Sequence, residues 1–128
     1  MQRRKDEGSF LTKYIRSFKH SVDGIVYSIE EEINIVLIMI LSIIALVVGF
    51  LLNISTVELC LIVISMGALM ASELINCAIE ATIDLITLDI NPLAKIAKDC
   101  GSAASFVMSL VAIAICMFVF GPYFAQLF

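Results

Sequence analysis

Apolar residues along this chain fall into three long blocks, preceded by one stretch in which they recur at helical spacing. From Ser9 to about Ile29 the apolar positions are Phe10, Leu11, Tyr14, Ile15, Phe18, Val22, Ile25, Val26 and Ile29. Lys13, Arg16, Lys19 and His20 fall largely between them. This pattern predicts an amphipathic helix over about residues 9–30, with one basic face. The eight charged and polar residues before it are expected to fray. After Glu30, Glu31 and Glu32 the first apolar block runs over about 33–52, long enough for a membrane span, which needs roughly 20 residues. A tight turn is expected at residues 53–56. The second block covers about 57–86. A polar segment over 87–99 follows, where Asn91-Pro92 disfavours helix just before the proline. The third span is placed at about 102–120, with Gly121-Pro122 ending it.

The expected fold class is therefore an all-α integral membrane protein: three transmembrane helices plus an N-terminal amphipathic surface helix, in a single domain over residues 1–128. Composition agrees. The chain is 61% hydrophobic with a mean hydropathy of +1.05, against the roughly half apolar content usual for soluble domains. An ordinary helix packed on a soluble domain is the alternative for residues 9–30, but no soluble domain remains to receive it. Beside a span, the basic face should lie toward anionic headgroups.

Charge sets the topology. All eight basic residues (Arg3, Arg4, Lys5, Lys13, Arg16, Lys19, Lys95, Lys98) precede the first span or lie between the second and third. The positive-inside rule makes that side cytoplasmic, with the N-terminus inside and the C-terminus outside. The net charge of −4 leaves no basic stripe for nucleic acid. Cys60, Cys77, Cys100 and Cys116 form no CxxC pair and read as small apolar residues. No cleavable signal peptide is visible, so the spans themselves are expected to direct insertion.

The chemistry concentrates in the second block. Glu73, Asn76, Glu80 and Asp84 fall within roughly 80° of one another on a helix. They form one polar stripe rising toward the cytoplasmic face. A carboxylate in the apolar region costs roughly 2.5–3.5 kcal/mol on insertion scales. A stripe that only glues helices together is the plain alternative, and Asn76 alone could serve it. Several acids need more, because the predicted spans contain no lysine or arginine. The acids must be protonated, reached by water, or bound to a cation. Carboxylate oxygens suit magnesium or calcium, and Glu32 and Glu80 are the candidate pair, near one boundary on adjacent helices. Glu73 lies deepest. Desolvation favours the protonated form of a carboxylate, a property suited to a general base for a lipid hydroxyl. Lys98 can meet a phosphate as a point charge or snorkel as an interfacial lysine.

The run Glu73-Leu-Ile-Asn76-Cys-Ala-Ile-Glu80-Ala-Thr-Ile-Asp84 resembles the ExxNxAIExxxD signature of the prokaryotic diacylglycerol kinase family, which includes undecaprenol kinases. The run from Asn91 through Lys98-Asp99 resembles the family's second motif, and Gly101-Ser102-Ala103-Ala104 continues it. Upstream, Ser17-Phe18-Lys19, Gly24-Ile25 and Glu32-Ile-Asn34 resemble the amino-terminal pattern. The resemblance covers about residues 10–120. It implies a lipid kinase that uses ATP and Mg2+ on a membrane lipid alcohol, built as a homotrimer with shared active sites in the bacterial cytoplasmic membrane. It further implies Glu73 as catalytic base and Glu32 and Glu80 as magnesium ligands. Lys13, His20, Asp89 and Asn91 then join Glu32, Asn76, Glu80, Lys98 and Asp99 around the nucleotide. Lys13, Glu73 and Ser102 fall on the substrate side.

Four positions depart from the family pattern. Asn91 stands for the usual histidine, His20 for an aromatic, and Val36 and Lys13 for arginines. No Walker, Rossmann or protein-kinase motif is present. The second motif leans toward undecaprenol as acceptor, and the Gly-Ser-Ala-Ala run toward diacylglycerol. Two other classes remain as expectations to test. A small cation or proton channel or transporter would use the acidic stripe as its pathway. A catalytically dead scaffold would gain nothing from the buried carboxylates.

Overall fold

The computed structural model describes residues 9–126; the expected fraying of residues 1–8 lies outside them. Four helices follow in order: α1 (Phe10–Glu31), α2 (Ile33–Leu51), α3 (Thr56–Ile86) and α4 (Pro92–Ala125). Of these, α2, α3 and α4 are long and apolar enough to cross a membrane, and no strand occurs among the described residues. The protein is all-α, as the block pattern predicts.

Each boundary has a local cause. Glu32 adopts extended backbone between α1 and α2, and its N–H closes the end of α1 on the Ser28 carbonyl at 3.0 Å. The turn after α2 uses Asn53 at φ 51°, a left-handed conformation that asparagine tolerates better than most residues. The turn then folds back on the helix. A Cβ on Gly49 would lie 2.8 Å from the end of the Ile54 side chain, so glycine lets that side chain pack closely against α2. Ser55 caps α3 in a reciprocal box. Its hydroxyl accepts from the Glu58 N–H at 3.3 Å, and Glu58 accepts from the Ser55 N–H at 2.8 Å. Glu58 also accepts from the Tyr123 hydroxyl at 2.8 Å. One carboxylate thus ties the turn to the far end of α4.

At the start of α4 the expectation from Asn91-Pro92 holds: Asn91 is extended and helix begins only at Pro92, so the polar segment from there on is helical. Asn91 Oδ1 accepts from the N–H groups of Leu93 and Ala94 at 2.8 and 3.4 Å. Proline at the first helical position starts a helix, since its missing N–H would have no partner there anyway. At the other end, Gly121-Pro122 does not stop α4, which continues to Ala125. Pro122 forfeits one bond to the preceding turn, so close to the helix end that the remaining turn still forms.

Packing centres on α3, which lies against both α2 and α4, more extensively against α4. Two small buried clusters mark the seams. One joins Ile38, Leu69 and Ala112, and the other Ala45, Ile62 and Val119. Each takes one residue from each spanning helix. The face of α1 bearing Phe10, Tyr14, Ile15 and Phe18 remains exposed, which suits a helix resting on a lipid surface.

Candidate active site

A cleft of about 1000 Å³ runs between α2 and α4, with α3 as its back wall. Its α3 wall carries Met66, Leu69, Glu73, Asn76 and Glu80. These recur at spacings of three and four, so one stripe of the helix faces the opening. Polar groups gather at one end. Glu32 and Asn34 contribute from the start of α2, Glu73, Asn76 and Glu80 from α3, and Ser102, Ser105 and Ser109 from α4. The rest is almost wholly apolar.

Glu73 is 4% exposed and Asn76 6%. Asn76 Nδ2 donates to Glu80 Oε1 at 3.0 Å, which fixes one oxygen of that carboxylate. Asn76 Oδ1 is buried without a hydrogen-bond partner and rests against Gly101 of α4, where a Cβ would collide with it. At the level of Glu73, the Ser72 and Ser105 hydroxyls join α3 to α4 at 3.4 Å. Glu32 completes the acidic group. Its carboxyl is held above the usual glutamate range by burial first, then by Glu80, Glu73 and Glu31. Three carboxylates thus share one region of the cleft, and no lysine or arginine lines it.

Of the residues singled out from sequence, the structure brings Glu32, Glu73, Asn76, Glu80 and Ser102 into this one cleft. The others lie outside it. Lys13 and His20 line a separate shallow groove on α1 with Arg16, Ser17 and Ser21, and His20 lies 4.0 Å from Asp23. Asp89 sits in the connection before α4, its N–H donating to Thr87 Oγ1 at 3.1 Å. Asn91 caps α4. Asp99 pairs with Lys95 one turn back at 2.5 Å.

Lys98 Nζ bonds Asp84 Oδ1 at 2.6 Å. This pair corrects the expectation that the acidic stripe has no base. The five-residue connection turns α4 back along α3, so a lysine 14 residues further on reaches the last acid of the stripe. Asp84 was missed as a partner because pairing across a helical hairpin has no short-range spacing. Tyr27 of α1 was also missed. Its phenol is pushed up chiefly by Glu31, then by burial and by Cys77, Asp84 and Glu32, and α1 packs against α2 and α3.

No group of three His, Cys, Asp or Glu close enough to hold a metal unaided occurs among the described residues. The cleft supplies instead two or three hard carboxylate oxygens beside open space. It pairs a buried carboxylate with a long apolar stretch of the cleft.

Residues 19–120 match the prokaryotic diacylglycerol kinase family. The undecaprenol kinase of Bacillus subtilis is 35% identical over 118 residues, covering 92% of this chain and 96% of the relative. The diacylglycerol kinase of Pseudomonas aeruginosa is 35% identical over 97 residues, or 76% of this chain and 79% of the relative. That of Haemophilus influenzae is 33% identical over 97 residues, or 76% and 82%. The matched region takes in all the acidic residues of the cleft, and the chain belongs to the prokaryotic diacylglycerol kinase family of membrane lipid kinases.

Proposed function

We propose that this protein transfers the γ-phosphoryl group of ATP to the hydroxyl of a membrane lipid alcohol, with undecaprenol as the favoured acceptor. The observation that carries this reading is Glu73: a carboxylate 4% exposed, at the polar end of a cleft whose other end is almost wholly apolar. The lipid hydroxyl approaches from the bilayer. Glu73 accepts its proton as the oxygen attacks the γ-phosphorus, the bond from that phosphorus to the bridging oxygen breaks, and ADP leaves. Asn76 holds Glu80 in place through its 3.0 Å bond, and Ser102 lies on the lipid side. Phosphoryl transfer rests mostly on positioning and charge, so this short residue set is sufficient.

The cleft suits a magnesium ion. Its donors are hard oxygens. Burial and mutual repulsion hold the Glu32 carboxyl up, a penalty that a neighbouring cation would relieve. Magnesium typically takes one or two carboxylates and completes its shell with water and substrate phosphates, so Glu32 and Glu80 would suffice. When bound there it supplies charge neutralisation on the β- and γ-phosphates. Lys98, held on Asp84, adds a fixed positive charge at the same end. Asp99, Asp89, Asn91, Lys13 and His20 complete the nucleotide contacts implied by the family pattern. Lys13 and His20 belong to α1, away from the cleft, which agrees with active sites shared between subunits of a homotrimer. The distribution of basic residues supports insertion in the bacterial cytoplasmic membrane with the N-terminus inside.

Diacylglycerol is the second acceptor, favoured by the relatives named for it. Label transfer from γ-labelled ATP in micelles separates the readings. Undecaprenol and diacylglycerol are offered in turn, with and without magnesium, to the wild type and to Glu73→Gln. Labelled lipid that needs both magnesium and Glu73 supports the mechanism, and the better acceptor names the substrate. Label in neither lipid would defeat the kinase reading.

A further inference from the structure

Glu32 holds two positions at once. Its side chain stands at the acidic end of the cleft with Glu73 and Glu80. Its backbone is the whole connection between α1 and α2, a single extended residue at φ −122° and ψ 105°. The N–H of Glu32 ends α1 on the Ser28 carbonyl at 3.0 Å, and its own carbonyl accepts the Ile35 N–H at 3.1 Å to begin α2. A polar side chain heading a helix ordinarily accepts from the free N–H groups of the first turn. Glu32 makes no such bond. The joint therefore has no side-chain lock, and the carboxylate is left for the cleft.

The helix that hangs on this joint is lightly secured. Every residue from Phe10 to Tyr27 is exposed, and Ser28, one turn from the joint, is the buried residue of α1. The end of α1 also carries charge of the unfavourable sign. Its last turn has no basic residue and runs through Glu30 and Glu31 into Glu32, whereas the C-terminal end of a helix dipole favours cations. A cation on the Glu32 carboxylate answers both weaknesses. It fixes the residue on which α1 pivots, and it brings positive charge to a helix end that lacks it. The arm is long. Lys13 lies about 28 Å along it from Glu32, so a turn of roughly 10° at the joint moves Lys13 about 5 Å.

We infer that Glu32 is a joint coupling the occupancy of the cleft to the position of α1. With a divalent cation on its carboxylate the surface helix is fastened, and without one it swings. The inference rests on the magnesium reading above and goes beyond it, because a ligand within a continuous helix would leave α1 as it was. Lys13 and His20 ride on the arm, so they come to one fixed place when the cation is bound.

Hydrogen exchange in lipid nanodiscs reads the arm directly, since exchange reports local opening. In the wild type, magnesium chloride should slow exchange of the amides over residues 24–32 at least fivefold relative to chelator. Amides over residues 62–69 of α3 should change less than twofold. Glu32→Gln should abolish the effect on α1. A two-glycine insertion between Glu31 and Glu32 leaves the carboxylate on α2 and slackens its tie to α1. That variant should keep the magnesium-induced rise in unfolding midpoint and lose the slowed exchange in α1. The chain has no tryptophan, so Phe18→Trp on the exposed face adds a spectroscopic readout. Its fluorescence anisotropy should rise with magnesium chloride, and should not rise when Glu32→Gln or the insertion is added.

Equal slowing in α1 and α3 would overturn the joint, and so would α1 amides already protected in chelator. Slowing that survives Glu32→Gln or the insertion would do the same, leaving the kinase reading intact. A wild type whose midpoint does not respond to magnesium would instead defeat the magnesium reading on which the joint rests.

Discussion

Asn76 of α3 presses its amide oxygen against Gly101 of α4, and that contact decides where its amide nitrogen points. Oδ1 is buried without a partner, while Nδ2 reaches Glu80 at 3.0 Å. A side chain at position 101 would occupy the space of Oδ1. Gly101→Ala should therefore push Asn76 off Glu80 as well as strain the α3–α4 seam. Overpacking of this kind costs about 1–3 kcal/mol. Thermal unfolding in detergent should show a lowered midpoint, and kinase activity should fall tenfold or more. In an Asn76→Ala background the same Gly101→Ala change should cost little stability, since the colliding group is gone. An equal cost in both backgrounds would place the strain elsewhere.

The Asp84–Lys98 pair predicts the opposite balance. Both side chains are partly exposed, at 49% and 35%, and such pairs contribute about 0–1 kcal/mol. Asp84→Asn should barely move the unfolding midpoint. It releases the Lys98 ammonium from its hold on α3, so KM for ATP should rise several-fold with kcat less affected. A large loss of stability with an unchanged KM would assign the pair to folding alone.

Most of this architecture was legible in the sequence, for identifiable reasons. Membrane spans are read from length and apolarity, which need no partner information, and the break at Glu32 follows from three acids ending an amphipathic stretch. The Glu73, Asn76 and Glu80 stripe was legible because helical periodicity alone fixes which side chains share a face. What was missed depends on other helices. Helix is absent just before Pro92, as Asn91-Pro92 indicated, but that the same pair starts α4 was not read, since cap and proline belong to the helix that follows. Gly121-Pro122 read as a stop, yet one proline in a final turn forfeits too little to end a long helix. Lys98 could be matched to Asp84 only once α4 was known to fold back along α3, and the Asn76–Gly101 contact likewise requires the crossing of two helices. The cleft between α2 and α4 was invisible because an apolar stripe lining a cleft has the same composition as one facing another helix.

Tyr123 provides a control far from the chemistry. Its hydroxyl donates to Glu58 at 2.8 Å, and Glu58 lies about 22 Å along α3 from Glu73 at the helical rise. Tyr123→Phe removes one hydrogen bond to a carboxylate that keeps its bond from the Ser55 N–H. The loss should be small, because both groups are open to solvent, and is read as a slightly lower unfolding midpoint. Initial rates at temperatures below that midpoint should match the wild type. A fall in kcat with no fall in midpoint would show that the outer end of α4 is coupled to the acidic site.

Glu32 gives the pH dependence its sign. Its carboxyl in the folded protein titrates above the ordinary glutamate value of 4.5, through burial and the charges of Glu80, Glu73 and Glu31. Between the ordinary value and that raised one the folded state binds more protons than the unfolded one, so stability falls as pH rises through the window. Metal-free protein should therefore gain stability as the pH is lowered from neutral toward about 5, and Glu32→Gln should flatten that part of the curve and stabilise the metal-free form at neutral pH. Magnesium reverses the preference, because a bound cation favours the charged carboxylate. Wild-type protein in saturating magnesium should lose the acid-side gain and be stabilised most at neutral pH, while Glu32→Gln should show a much smaller magnesium-induced shift in midpoint. Unfolding curves across about pH 5–8, with magnesium or with chelator, carry the comparison without any turnover. If magnesium stabilised Glu32→Gln as strongly as the wild type, Glu32 would not be a ligand, and its carboxyl would be held up by its neighbours for some other end.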